Sequence, residues 1–439
     1  MADGQTGLVR TIGRWSLTAL MVNSIIGAGI FGLPSLLAGR LGGYSPLAGM
    51  LAGAGIVVIA ACIAEISSRY EETGGIYLYA REAFGQFTGL VMAWLTWLTR
   101  IAAPAAAANL FVTYAAQFFP VLGRPGPRLG VLAVLIGQLA VFNHFGVSLG
   151  NTVSNIFTGV KVGFLSFFVV GGLLAVWFLH PALRLPLALP AASRGDWMES
   201  VLLMVYAYGG FEGALFVGGE ARDPRRDTPV ALLVALAIVA AIYTAVQYVV
   251  IVTLPGAGGS ARPLGDAARV FLGPAGATAM GLAALVSTYG YLSANMLHAP
   301  RITYALGRQR DFPKFFAAVH PRYRTPHISI WLYAGLLFGF AALGTFQWNA
   351  VLSAVARLGV YGAMAVAVPW LRRKDPTGAR FRLPAPYLFA AVGVGFAAVM
   401  LTRMGRSEFL VVGGMLVVAT LNWVAVHGGA AGAEREEKP

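Results

Sequence analysis

Apolar residues run in blocks of about 20 from one end of the chain to the other, separated by short segments rich in Gly, Pro and Arg. A hydrocarbon core roughly 30 Å thick is crossed by about 20 helical residues, so each block predicts one membrane-spanning helix. Twelve spans are read at 15–38, 44–66, 87–119, 128–146, 153–179, 198–219, 229–254, 275–305, 327–344, 349–371, 384–402 and 407–427. Loops such as Gly123–Pro127 and Pro255–Gly259 lie between them, and no segment fits a soluble domain. Residues 1–14 read as a polar N-terminal segment and 428–439 as a small, polar, disordered tail. The first apolar block is followed by no small-residue cleavage site, so it is read as a retained helix.

Two of the spans carry glycine clusters at mid-membrane depth. The first holds Asn23-Ser24-Ile25-Ile26-Gly27-Ala28-Gly29-Ile30-Phe31-Gly32, and the sixth holds Tyr206-Ala207-Tyr208-Gly209-Gly210-Phe211-Glu212-Gly213. Glycine costs about 1 kcal/mol against alanine inside a helix, and it leaves the freed backbone open to a ligand. Close helix packing is the ordinary use of glycine in membranes. The five-helix spacing and the polar flanks favour helices broken at a binding site, as in secondary transporters built from inverted repeats.

Composition agrees with lipid as the solvent: 57% of the residues are hydrophobic and 11% charged, against roughly 25% charged in soluble domains. The formal net charge of +14 suggests nucleic acid until the basic residues are placed. Twenty of the 32 lysines and arginines fall in one set of loops and nine in the other. By the positive-inside rule both termini are then cytoplasmic, in the cell membrane, and nucleic acid is no partner. The lone cysteine, Cys62, excludes an intrachain disulfide and a multi-cysteine metal site.

Several stretches resemble the amino acid–polyamine–organocation (APC) superfamily. Gly27-Ala28-Gly29-Ile30-Phe31 is similar to its first-helix GSGIF motif, with alanine for serine. Glu65-Ile66-Ser67-Ser68-Arg69-Tyr70, continuing to Arg81-Glu82-Ala83-Phe84-Gly85, looks like its first cytoplasmic loop. Ala207–Glu212 with Gly219-Glu220 and Pro224–Pro229 resembles its sixth helix and following loop, and Pro300–Leu306 with Phe312-Pro313 the end of its eighth. The resemblance covers about the first three quarters of the chain. It implies an all-α integral membrane protein with the APC fold, a five-plus-five inverted repeat. One repeat would span about 15–179 and the other about 198–371, within a ten-helix core of 15–371. Two peripheral helices in 372–427 would follow. It also implies alternating-access import of amino acids.

On this resemblance the substrate carboxylate meets the backbone amides of Ala28 and Gly29 beside Gly27, where a half-helix offers free N–H groups and a positive dipole end. The ammonium meets the carbonyls of Ile25, Tyr206, Ala207 and Gly209, with Tyr206 as the covering aromatic and Phe211 beside it. Lys161, in mid-span, stands where relatives hold sodium, contacting backbone around Gly27 and Ser287 or Thr288. It either cycles a proton or is a fixed charge bracing the bundle. Glu212 is a gate, a proton sensor, a partner for a cationic substrate, or a buried glutamate bonded to backbone. Arg100 either meets a second anionic group or pairs with a glutamate, Arg357 is a similar bracing charge, and Asn295 lines the pocket.

Glu65, Glu220, Arg225 and Arg226 read as solvated or structural charges, and His144 and His298 as isolated core or interfacial histidines. A neutral amino acid is the preferred substrate, with a cationic one next because of Glu212. Protons are the expected coupling ion, no cofactor or metal is implied, and the chain is a monomer or homodimer. An amino acid exchanger and a non-transporting sensor are the alternatives. Neither metal-spaced clusters for a membrane enzyme nor a repeated pore loop for a channel is found.

Overall fold

The computed structural model describes residues 12–70, 75–146, 151–179, 189–215 and 221–436, and within them all side chains but those of 151–160, 179, 214 and 427–436. Arg10, Gly219 and Glu220 lie outside the described residues. Fifteen α-helices are formed among those described. They are α1 (Arg14–Ile25), α2 (Gly29–Leu41), α3 (Ser45–Ser67), α4 (Gly75–Phe84), α5 (Gln86–Ala115), α6 (Pro125–His144), α7 (Asn151–Leu174) and α8 (Arg194–Tyr208). Then come α9 (Phe211–Leu215), α10 (Pro224–Thr253), α11 (Pro263–Arg308), α12 (His327–Leu343), α13 (Phe346–Lys374), α14 (Pro386–Leu401) and α15 (Arg406–Glu436). No strand is formed among the described residues; Ile12 and Ala221 make an isolated bridge.

Eight helical stretches among the described residues are long and apolar enough to cross a membrane, and α12 and α14 are shorter apolar helices. The outer surface carries exposed Phe178, Trp370, Leu410, Val417 and Leu421, as a chain solvated by lipid requires. The chain is a multi-pass membrane protein.

Both glycine clusters interrupt their helices. α1 stops at Ile25 and α2 starts at Gly29. α8 stops at Tyr208 and α9 starts at Phe211, with Gly210 at φ 121°. These broken helices form the centre. α1 packs on α9 and α10, α2 on α8, and α3 on α8 and α10. α5 packs on α11, α12 and α13; its fully buried run from Ala105 to Ala108 lets these backbones approach. α14 and α15 lie outside, against α3, α5 and α13.

Three elements differ from expectation. The segment 75–84, read as loop, is the amphipathic helix α4, with Ile76, Tyr79, Ala80 and Ala83 turned inward at helical spacing. α11 starts twelve residues before the span expected at 275–305, because Pro263 opens a short helix and a turn at Gly273 (φ 67°) joins it to the long one. α15 continues through Gly428 to Glu436 where a disordered tail was expected, since Ala430, Ala431, Ala433 and Glu434 are good helix formers.

Candidate functional site

The two breaks touch. The Ser24 hydroxyl donates to the Gly210 carbonyl at 2.5 Å. A side chain at Gly210 would run into the Ser24 carbonyl. The Tyr243 hydroxyl on α10 lies 3.2 Å from the Ile25 carbonyl and 3.1 Å from the Ala207 carbonyl, bridging both broken helices. α2 and α8 close up so far that a Cβ at Gly29 would stand 3.0 Å from that of Ala207 and 3.4 Å from the Tyr206 ring. Tyr206 therefore lies over the start of α2. The ring of Tyr291, from α11, lies 3.5 Å from where a Gly27 Cβ would stand.

The first turn of α2 keeps free donors. Ile26 N–H bonds to Val22 and Phe31 N–H to Ala28, but the amides of Gly27, Ala28, Gly29 and Ile30 find no acceptor among the described residues. Orphan N–H groups at a helix start favour an anion. Of the four carbonyls expected to face an ammonium, all but that of Gly209 already have a side-chain donor within reach. Ile25 and Ala207 share the single Tyr243 hydroxyl proton, and Tyr206 accepts from the Arg357 guanidinium at 3.4 Å.

Lys161 is buried, and its Nζ donates to the carbonyls of Asn23 at 2.8 Å and Ile26 at 2.5 Å. Both are backbone oxygens freed by the end of α1, so the ammonium caps that helix where its dipole favours a cation. The expected contact with α11 is not made. Thr288 bonds to Ala284 and Leu285 of its own helix, and the buried Ser287 hydroxyl has no partner. A threonine in mid-helix satisfies itself on its preceding turn more readily than across a helix gap.

Below the sixth-helix break lies a charged cluster. Arg357 Nε on α13 donates to Glu212 Oε1 at 2.7 Å, both side chains being under a tenth exposed. Tyr361 donates to the same oxygen in a short bond, and Gly210 N–H to Oε2 at 2.7 Å. Phe211 stacks on Tyr361 with ring centres 5.5 Å apart. Glu212 is thereby held by a cation, a hydroxyl and a backbone amide. Of the two arginines considered in sequence, Arg357 takes the glutamate and Arg100 does not. The Arg357 guanidinium fills the space a Gly209 side chain would need, which fixes glycine there.

Asn295 is buried on α11; its amide donates to Tyr291 O at 2.9 Å and its Oδ1 has no partner. Sequence reasoning missed Tyr243 and Tyr361. Tyr361 had a signal, standing one helical turn from Arg357 in an otherwise apolar stretch; Tyr243 shares its helix with Tyr248 and had none of its own. At the helix ends Glu65 is fully buried, held by Arg372 at 2.5 and 2.6 Å and by Leu383 N–H at 2.9 Å, so it is not a solvated charge. Arg225 bonds to the Ser68 carbonyl at 2.8 Å. His144 is not isolated: its ring centre lies 5.1 Å from that of His320 and 6.4 Å from that of His327.

Comparison with known proteins follows the same line. A family model described as amino acid permease matches residues 12–426. The chain is similar to a methylthioribose transporter of Bacillus subtilis (strain 168), 27% identical over 397 residues, 86% of this chain and 84% of the relative. It is similar to a serine/threonine exchanger of the same organism, 28% identical over 354 residues, 75% of this chain and 76% of that one. A vacuolar cationic amino acid transporter of Arabidopsis thaliana is 29% identical over 406 residues, 86% of this chain and 65% of its own length. With a match running from Ile12 almost to the end of α15, the chain belongs to the amino acid permease family of the APC superfamily.

Proposed function

We propose that the chain is a secondary active transporter that imports amino acids across the cell membrane by alternating access, coupled to protons and independent of sodium. Its twelve spans would comprise two inverted five-helix repeats, 15–179 and 198–371, and two peripheral helices, with both termini cytoplasmic. The relatives' names support amino acid transport. The free amides of Gly27, Ala28 and Gly29 would take the substrate carboxylate. The ammonium would displace donors now on the carbonyls of Ile25, Tyr206 and Ala207, or meet that of Gly209, so binding would require Tyr243 and Arg357 to shift.

The observation that carries the coupling is the Lys161 ammonium on the Asn23 and Ile26 carbonyls. A cation there holds the end of α1; losing its proton would release one donor and loosen α1 against the bundle. Uptake into proteoliposomes tests it. Uptake should rise with an inward proton gradient, be indifferent to sodium, and lose its gradient dependence in Lys161→Ala. Full gradient-driven uptake by that variant would refute the coupling.

A second reading is exchange, favoured by one relative named an exchanger. An exchanger takes up labelled amino acid only into vesicles preloaded with unlabelled substrate, whereas a symporter does so into empty ones.

A further inference from the structure

Arg100 is the cation left over from the cluster below the sixth-helix break. It lies partly buried on α5. Its guanidinium packs over Gly213, with one terminal nitrogen 3.1 Å from where a Cβ of that residue would stand. It forms no ion pair or side-chain hydrogen bond with any described residue; only its backbone carbonyl is engaged, by Tyr333 at 2.7 Å. Glu212, the acid within reach, is held by Arg357, Tyr361 and Gly210 and makes no hydrogen bond to Arg100. Arg100 and Glu212 line one narrow cavity with Thr96, Thr99, Arg357 and Tyr361. The Thr96 carbonyl accepts from the Thr99 hydroxyl at 2.6 Å, and the Thr96 hydroxyl, one turn from Arg100 on the same face, makes no hydrogen bond with a described residue.

The cavity thus holds two guanidinium charges against one carboxylate, and its unused donors are a guanidinium and a hydroxyl. An uncompensated cation inside a membrane protein is costly and calls for an anion. The fork of a guanidinium meets a carboxylate bidentately. Arg357 lines this cavity and reaches the Tyr206 carbonyl at the break, so one side chain links the cavity to the α2–α8 junction. We infer that Arg100 and Thr96 form a subsite for a second carboxylate, which makes the transported amino acids acidic ones, aspartate or glutamate. This rests on the transport reading above and narrows it.

The test uses the full chain reconstituted in chloride-free proteoliposomes, with paired substrates: glutamate against glutamine and aspartate against asparagine. Wild type should prefer the acidic member by roughly ten-fold or more in kcat/KM, as expected where a built charge partner would otherwise stay unpaired. Arg100→Gln should abolish or invert that ratio, Arg100→Lys should keep part of it, and Thr96→Val should lower it. Equal use of both members by wild type overturns the subsite while leaving transport standing. Uptake of none of the four by wild type, with other amino acids carried, also overturns it. No amino acid uptake at all overturns the transport reading itself. If added chloride stabilises wild type but not Arg100→Gln, with no acidic preference in either, the site belongs to a free anion and the proposal is wrong.

Discussion

The hydroxyl of Ser24 donates to the carbonyl of Gly210 across 2.5 Å, joining the break in the first span to the break in the sixth. Both helices end in free backbone groups, and each break supplies part of what the other lacks: α1 gives a donor, the Gly209–Gly210 turn an acceptor. The pair makes one structure of two glycine clusters 186 residues apart.

Gly210→Ala should be far worse than a surface change. At φ 121° an L side chain is strained, by about 1–2 kcal/mol in the left-handed region generally. Its Cβ would also collide with the Ser24 carbonyl, and overpacking adds about 1–3 kcal/mol. Thermal unfolding in detergent should show a large loss for Gly210→Ala and one of about 1 kcal/mol for Ser24→Ala. Equal midpoints for Gly210→Ala and wild type would contradict the contact.

The Arg357–Glu212 pair should behave as a buried ion pair. Glu212→Gln leaves a guanidinium without its counter-charge and should cost about 3–5 kcal/mol, with the double variant Glu212→Gln/Arg357→Met recovering much of that loss. A double-mutant cycle read by unfolding gives the coupling directly. Additive single effects would show that the two side chains do not interact.

Glu65 ties α3 to α13 through Arg372 and to the following loop through Leu383 N–H. Glu65→Ala strands a partly buried arginine and a buried amide, so a loss of about 3 kcal/mol or more is expected. Glu82→Ala, at an exposed helix position, should change stability by no more than about 0.5 kcal/mol. Comparable midpoints for the two variants would place Glu65 on the surface.

The histidine corner between α6 and α12 should respond to acid. Desolvation, then the neighbouring His144 and His327 and the charge of Arg322, hold the His320 imidazole below its usual range. Its folded form prefers to be neutral, so between the two pKa values the unfolded chain binds more protons and stability rises with pH. The contribution is fully present above the unfolded value near pH ~6.5 and is lost as pH falls through the lowered folded value. The unfolding midpoint should fall more between pH 7.5 and 5.5 in wild type than in His320→Gln. A parallel fall in both would remove His320 as the cause.

The apolar blocks and both helix breaks were legible in the sequence, because span length and the weakness of glycine in a helix are properties of consecutive residues. Lys161 was legible as an oddity, since a cation in an apolar helix is conspicuous wherever it points. Its partners were legible only in part: sequence offered backbone around Gly27 together with Ser287 or Thr288, and the bonds formed are to the carbonyls of Asn23 and Ile26 at the end of α1. Likewise Glu212 could have paired with Arg100 or Arg357, and only the packing of α13 against α8 and α9 gave it to Arg357 and left Arg100 unpaired. Glu65 looked like any charge at a helix end until Arg372, 307 residues away, was found on it. Hydrophobicity is additive along a chain and can be summed from the sequence. The fate of a buried charge depends on which donor stands within about 3 Å, and that distance exists only once the helices have packed.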